Sequence, residues 1–378
     1  MNYKCCSKCV MDTTDPEISF DSNGVCNHCH NFANVTAKKW FPNEGGALQW
    51  QSHVNAIKEA GKGHEYDCIL GLSGGVDSSY LAIKAQQWGL RPLVMHVDAG
   101  WNSELAVANI EALVKHCGYE LHTHVVDWDD MRDLQLAYLR AGISNQDVPQ
   151  DHIFFASLYH FAVRNNIRYI LSGGNISTES IFPASWHWTA MDSINLKAIH
   201  KKYGLRKFKN YKTISFFEFF VWFPLIKKMR VLRPLDFMLY DKNEALQELQ
   251  ATVAYKPYPR KHGESLFTKW FQNHYLPFKF GMDKRRPHLS SLIVSGQMTR
   301  QEALEKLSEP LYDNAELEID IVYLCKKLRI SRVQYNAFMD IIIHNYNDFP
   351  NWDSLYKFVK RIKRIITMLI GRNIKISY

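Results

Sequence analysis

Between residues 66 and 172, short continuous apolar runs alternate with longer segments whose apolar positions recur at helical spacing. The order reads strand 66–72, helix 77–88, strand 92–98, helix 103–117, strand 120–127, helices 128–141 and 151–166, then strand 168–172. Apolar strands linked through amphipathic helices predict an α/β fold with a doubly wound, mostly parallel sheet. Gly89, Gly118 and Gly142 stand where three of these helices should stop. Residues 1–45 carry clustered cysteines instead of a periodic pattern, and residues 256–378 combine basic strings with mainly helical patterning. The expected division is a cysteine-rich segment at 1–45, an α/β domain at 46–255 and a basic, mainly helical region at 256–378.

Ligands of such sheets bind beyond the carboxyl ends of the strands, so the residues after each strand are the candidate site. After the first strand stands Ser73-Gly74-Gly75-Val76-Asp77-Ser78-Ser79, a glycine turn leading into a helix. Paired glycines let the backbone turn tightly, and the free N–H groups at a helix start attract an anion. The lysine-bearing loop of ordinary phosphate-binding NTPases is missing, which argues against transfer of a terminal phosphoryl group. His96-Val97-Asp98 ends the second strand, Asp127 follows the third, and Ser172-Gly173-Gly174-Asn175, with Thr178 and Glu179, follows the fourth. Asp98 could meet a ribose or a metal; for Asp98 and Asp127 a helix-capping role is equally open.

Composition narrows the class of protein. The 378 residues are 46% hydrophobic, enough for a sizeable core. No signal peptide and no uninterrupted apolar span of about 18 residues is apparent, and a cytoplasmic setting is expected. The net charge of +8 comes from two segments, 197–212 and 353–378, and the remainder is slightly acidic. Two local basic patches suit docking, an anionic substrate or a membrane face at least as well as nucleic acid. An aromatic run from Ile214 to Pro224 follows the first patch; it reads as a buried helix or as a partner or membrane contact.

Five of the eight cysteines fall in the first 29 residues. Cys6-x-x-Cys9 and Cys26-x-x-Cys29 form two knuckles spaced for a four-thiolate zinc site, with Cys5 and His30 as neighbours that could replace one ligand. Such a site is closed and structural. Cys68, Cys117 and Cys325 read as packed thiols.

The strand, the glycine-serine loop and the helix together resemble the PP-loop ATP pyrophosphatases, of the adenine nucleotide α-hydrolase-like fold. That resemblance implies ATP cleaved to AMP and pyrophosphate. The ordered set Cys-x-x-Cys-Val-Met-Asp-Thr-Thr-Asp-Pro, the second knuckle, SGGVDSS, Gly-Gly-Asn-x-x-Thr-Glu, Lys261-His262-x-Glu264-Ser265 and Asp283-Lys284-Arg285-Arg286-x-His288-Leu289-Ser290 narrows it. Across roughly residues 4–310 the chain is similar to the N-acetyl sugar amidotransferases of bacterial surface-polysaccharide (lipopolysaccharide O-antigen type) biosynthesis; residues 311–378 carry no motif assigned to that family.

The resemblance implies conversion of the N-acetyl group of a nucleotide-activated sugar to an acetamidino group. The carbonyl oxygen would attack the α-phosphorus of ATP, and ammonia would then displace AMP. Ser73, Gly74, Gly75, Asp77, Ser78 and Ser79 would cradle pyrophosphate, with Asp98, Gly173, Gly174, Asn175 and Lys284 also placed at the nucleotide. Asp77, Glu179, Lys261 and Arg285 would carry the chemistry, with Mg²⁺ as counterion and Zn²⁺ on Cys6, Cys9, Cys26 and Cys29. No glutaminase nucleophile is recognisable, since the chain starts Met1-Asn2-Tyr3. Ammonia would come from separate glutaminase and cyclase-like subunits, akin to the halves of imidazole-glycerol-phosphate synthase. The amphipathic tail, with Leu355, Phe358, Val359, Ile362, Ile365, Ile366 and Leu369 opposite lysines and arginines, offers a dock, a peripheral membrane contact or an ordinary packed helix. A tRNA-thiolating enzyme of the same superfamily and a non-catalytic zinc-ribbon scaffold are the alternatives. The first lacks a cysteine pair in the core and the second leaves the intact loop without a task; no nucleic-acid partner is expected.

Overall fold

Cys68, Ile69 and Leu70 are fully buried yet divide between two apolar cores, because successive strand side chains point to opposite faces of a sheet. The same alternation separates Leu93, Met95 and Val97 from Val94 on the neighbouring strand. The computed structural model describes residues 3–186, 188–258 and 263–370. Helix α1 (Glu44–Ala60) opens the domain, with the Asn43 side chain accepting from Gly46 N. There follow β1 (Cys68–Gly71), α2 (Val76–Gln87), β2 (Pro92–Asp98), α3 (Glu104–Cys117), β3 (Leu121–Val125), α4 (Trp128–Ala141), α5 (Val148–Arg164) and β4 (Tyr169–Leu171). A fifth strand, β5 (Arg230–Leu232), closes one edge, and all five pair in parallel in the order β3-β2-β1-β4-β5.

The order reverses direction at β1, which places the loops after β1 and β4 side by side. Ligand crevices form at such a switch point. The expected sheet, its parallel sense and its covering helices are therefore all present. Gly118 and Gly142 end α3 and α4 in the left-handed conformation.

The first basic patch lies over α4. Backbone N–H groups of Lys209, Asn210 and Tyr211 donate to Asp130, those of Leu205 and Arg206 to Asp133, and Arg206 pairs with Asp129 at 2.7 Å. The aromatic run is mostly core: Ile214, Phe220 and Phe223 are buried, the latter two in a wide π-helical stretch containing Pro224. Beyond β5 come α6 (Lys242–Val253), α7 (Leu266–Trp270), α8 (Arg285–Val294), α9 (Arg300–Ser308), α10 (Asn314–Leu328) and a final helix at Asp353–Ile370. No described helix is long and apolar enough to cross a membrane.

The N-terminal ribbon docks onto α8 and α9. Arg300 Nε donates to the carbonyls of Cys6 and Cys9 at 3.1 and 3.0 Å, and Arg286 binds Val10 O and the buried Asp12 carboxylate, both at 2.9 Å. Ile181 completes the ribbon's apolar core together with Met11 and the four cysteines.

Candidate active site

Past β1 the chain turns through Ser73-Gly74-Gly75 into α2. Gly74 holds φ at +83°, and a Cβ there would stand 3.2 Å from both Ala106 O and the Tyr258 hydroxyl, so conformation and space both require glycine. Ser73 and Ser78 hydroxyls lie 3.1 Å apart, and Ser78 Oγ donates to Gly75 O at 3.2 Å. No side chain caps the start of α2, which leaves its first-turn N–H groups for an anion.

The loop after β4 packs directly on this one. A Cβ on Gly173 would meet Ser78 N at 3.0 Å, so that glycine permits the close approach. Asn175 accepts from Thr178 N at 2.9 Å to start the short turn Ile176–Glu179, while its Nδ2 donates to Asp77 Oδ1 at 3.4 Å. The Tyr240 hydroxyl donates to the same Asp77 oxygen. Tyr255 and Tyr258 both donate to Gly74 O, at 2.7 and 3.0 Å. Three tyrosines from the segment after β5 thus hold the loop.

Both loops open on one cavity of about 660 Å³, within the usual size of a ligand pocket. Ser73, Gly75, Asp77 and Ser78 line it, as do Gly173, Gly174 and Glu179. Met95, His96 and Val97 add the edge of β2, and Phe154, Leu158 and Tyr159 an apolar face suited to a planar base. His96 Nδ1 donates to Leu72 O at 2.9 Å and Nε2 accepts from Asn102 at 2.8 Å, a pattern that needs the neutral ring. Glu264, Ser265, Lys242, Asp147, Gln150, Asp151 and Thr268 complete a polar wall.

Charge is concentrated in one part of that wall. Asp147 accepts from Gln150 Nε2 at 3.0 Å and from Thr268 Oγ1 at 3.1 Å. The Asp151 carboxylate has no hydrogen bond among the described residues. Burial, and after it the neighbouring Asp147, push Asp151 up to about 8. Burial likewise brings Lys284 down to about 8, against the pull of Asp147 and Asp151.

Several expectations change here. Ser79 is fully buried on α2 and does not reach the cavity, and the Gly74 carbonyl is taken by tyrosines. Asp98 accepts from Gly100 N and Asn102, so it shapes the turn after β2 and does not line the cavity. Asp127 caps α4. Asn175 is buried and positions Asp77. Arg285 lies away from the cavity: its guanidinium binds Asp283 at 2.8 Å and the carbonyls of Lys306, Leu307 and Glu309 at the end of α9. Lys284 sits with its ammonium 4.3 Å from the Phe182 ring centre, near the two aspartates but not on the cavity surface. Lys261 falls within 259–262, outside the described residues.

The four knuckle cysteines are buried with all Sγ atoms within 4.8 Å of one another. Backbone N–H groups of Cys9 and Cys26 donate to Cys6 Sγ at 3.4 and 3.2 Å, and that of Met11 to Cys9 Sγ at 3.4 Å. Such donors stabilise thiolates, and the donor set fits a tetrahedral cation. His30 pairs with Asp21 at 2.9 Å and Cys5 lies 3.8 Å from Arg300, so neither joins the set.

Residues 264–363 match the family model described as the C-terminal domain of LPS biosynthesis protein WbpG-like proteins. The match begins at Glu264 on the cavity wall and runs well past residue 310, where the recognised motifs end. A search of curated proteins finds no match. Among solved structures, the chain is similar to an NMN synthetase from Francisella tularensis at 14% identity and a TM-score of 0.32, covering 71% of this chain and 98% of that one. It is also similar to an NH3-dependent NAD synthetase from Campylobacter jejuni in complex with the nitrate ion, at 14% identity and a TM-score of 0.30, covering 70% and 97%.

Proposed function

We propose that this chain is an ATP-dependent, AMP-forming amidotransferase that converts the N-acetyl group of a nucleotide-activated sugar to an acetamidino group in lipopolysaccharide O-antigen type biosynthesis. The observation that carries the reading is the single cavity shared by the uncapped start of α2, Asp77 and Glu179, joined to a segment that matches a lipopolysaccharide-biosynthesis domain. ATP would lie with its base against Phe154 and Leu158 and its β- and γ-phosphates at Ser73, Gly75 and Ser78. The acetamido oxygen attacks the α-phosphorus, pyrophosphate leaves, and ammonia displaces AMP from the activated carbon.

Asp77 and Glu179 are the residues that would hold Mg²⁺, which supplies counter-charge to the departing pyrophosphate. Lys261, next to Glu264 in sequence, would add a cation there. Gly173 and Asn175 keep Asp77 in place, and Gly174 lines the cavity beside Glu179. Zn²⁺ on Cys6, Cys9, Cys26 and Cys29 would be a closed structural centre. Arg285, assigned to phosphate by resemblance, instead holds Asp283 and the end of α9, and Lys284 lies over Phe182 near Asp147 and Asp151.

Ammonia would be supplied by separate glutaminase and cyclase-like subunits, and the reaction would be cytoplasmic. The exposed Leu355 and Phe358 on the final helix offer a partner or peripheral membrane contact. A panel of nucleotide-linked acetamido sugars, supplied with ATP, Mg²⁺ and ammonium, should yield AMP, pyrophosphate and a product in which NH replaces oxygen. ADP in place of AMP would sink the mechanism. Lys261→Ala should suppress pyrophosphate release while the circular-dichroism spectrum is unchanged.

A further inference from the structure

The fold brings together the two segments that carry the chain's positive charge. Asp192 caps the helix Ser193–Tyr203, accepting from the N–H groups of Ile194 and Asn195, and the same carboxylate accepts from Trp352 N at 2.8 Å, one residue before the final helix. Asn195 Nδ2 donates to Tyr346 O at 3.1 Å, and the Lys202 ammonium lies 5.4 Å from the Phe349 ring centre. Residues 197–212 and the start of the final helix therefore share one anchor, although 160 residues separate Asp192 from Trp352. The aromatic run joins them there, with the Phe220 ring against both Trp352 and Tyr356.

Little of that charge is spent inside the molecule. Of the seven lysines and arginines at 197–212, only Arg206 is in an ion pair among the described residues, with Asp129. Lys201, Lys202, Lys207, Lys209 and Lys212 are all exposed, while Asp130 and Asp133 hold the backbone of residues 205–211 from below. The loop thus presents its cations from a fixed backbone, which lowers the ordering cost of binding. On the final helix, Trp352 and Tyr356 turn toward the body, whereas Leu355 and Phe358 stay exposed, Phe358 at 61%. Lys357, Lys360 and Arg361 are exposed with them. A helix that merely packed on the body would bury the apolar stripe that Leu355 and Phe358 begin. Leu205 on the loop and Phe217 on the aromatic run are likewise exposed.

We propose that the 197–212 loop and the final helix form one docking surface for an anionic phospholipid membrane. Lysine, the commonest residue of this surface, is depleted in protein–protein interfaces, whereas helices that lie in the membrane interface are rich in it. The exposed apolar side chains would enter the boundary of the acyl region, and the lysines and arginines would meet lipid phosphates. Each cation brought near such a surface multiplies affinity about fivefold, so several together hold the chain reversibly without a spanning helix. The proposal goes beyond the catalytic reading and commits the final helix, together with the loop, to a lipid surface.

The test is co-sedimentation of the full chain with phosphatidylcholine vesicles, with and without about one third phosphatidylglycerol. Binding to the anionic vesicles should be at least about tenfold tighter and should weaken steeply between about 0.1 and about 0.5 M salt. Lys207→Glu with Lys209→Glu should weaken it by about tenfold or more, because the loop backbone is held independently of these side chains. The same reversal at the exposed Lys38 and Lys115, ahead of α1 and on α3, should cost little. Phe358→Ser should lower binding severalfold; if that variant fails to fold, the loop pair decides alone. Equal binding to the two vesicles, or equal loss in the two double variants, overturns the proposal. No binding to either vesicle does the same, and a protein partner whose affinity falls in Phe358→Ser would then identify the surface as a protein dock. AMP formation measured without vesicles keeps the catalytic reading separate, since it stands or falls without the membrane.

Discussion

Asp77 is held by two neighbours that the local sequence around it does not suggest. Tyr240 donates to its carboxylate from the segment after β5, and Asn175 reaches it from the loop after β4. Burial, followed by the charge of Asp77, keeps the Tyr240 phenol protonated far above its usual range. Tyr240→Phe removes that donor with little change in volume. Pyrophosphate release should fall by about tenfold, the equivalent of a hydrogen bond of about 1–1.5 kcal/mol, with little change in thermal midpoint. Gly173→Ala makes a sharper case, since the added methyl would press on Ser78 N at 3.0 Å. It should abolish ATP binding measured by calorimetry, whereas Gly281→Ala, at an open position with positive φ, should cost about 1 kcal/mol of stability and leave ATP binding intact.

Elements are legible where periodicity is strong and obscure where tertiary contacts decide. The run around Ile69 and the helical spacing of Ile110 and Leu113 read directly as strand and helix. Strand β5 escapes such reading because Arg230-Val231-Leu232 is a three-residue edge strand with two exposed positions, too short for a pattern. Helix α5 starts at Val148, three residues earlier than expected, because Pro149 suits a first helical turn. That shift conceals Asp147, which in sequence resembles a loop acid and in the fold stands at the start of the helix one turn from Asp151. Arg285 and Arg286 mislead for the opposite reason: a basic string suggests phosphate, and only the fold shows carbonyls and buried Asp12 among their partners. The ribbon carries its own prediction. Loading the proposed Cys6, Cys9, Cys26 and Cys29 centre with zinc should raise the thermal midpoint and a chelator should reverse the gain, and Arg300→Ala, which frees the Cys6 and Cys9 carbonyls, should lower the midpoint by a few degrees in the zinc-loaded protein.

At the scale of the whole molecule, one buried histidine sets an acid limit. His152 is fully buried, bonds Ala190 O at 2.8 Å and accepts from Ile214 N at 3.1 Å, thereby tying α5 to two later segments. Burial brings its proton affinity down to about 4. The unfolded chain takes up a proton near pH 6.5 and the folded one does not, so stability is unaffected above that pH and falls as pH drops toward 4. The loss should approach about 3 kcal/mol, visible as a declining denaturation midpoint between about pH 6.5 and 4. His152→Gln, which can reproduce part of the bonding, should flatten that slope.

The arginine clasp on the ribbon also orders events in time. Cys6 and Cys9 leave the ribosome well before the side chain that binds their carbonyls, which is 294 and 291 residues further along. A metal-bound knuckle would therefore wait, with its apolar side uncovered, through the synthesis of the whole parallel sheet, whose last strand ends at Leu232. Nascent chains arrested before Arg300 emerges should bind zinc but present the ribbon to protease, and chains arrested well beyond it should not.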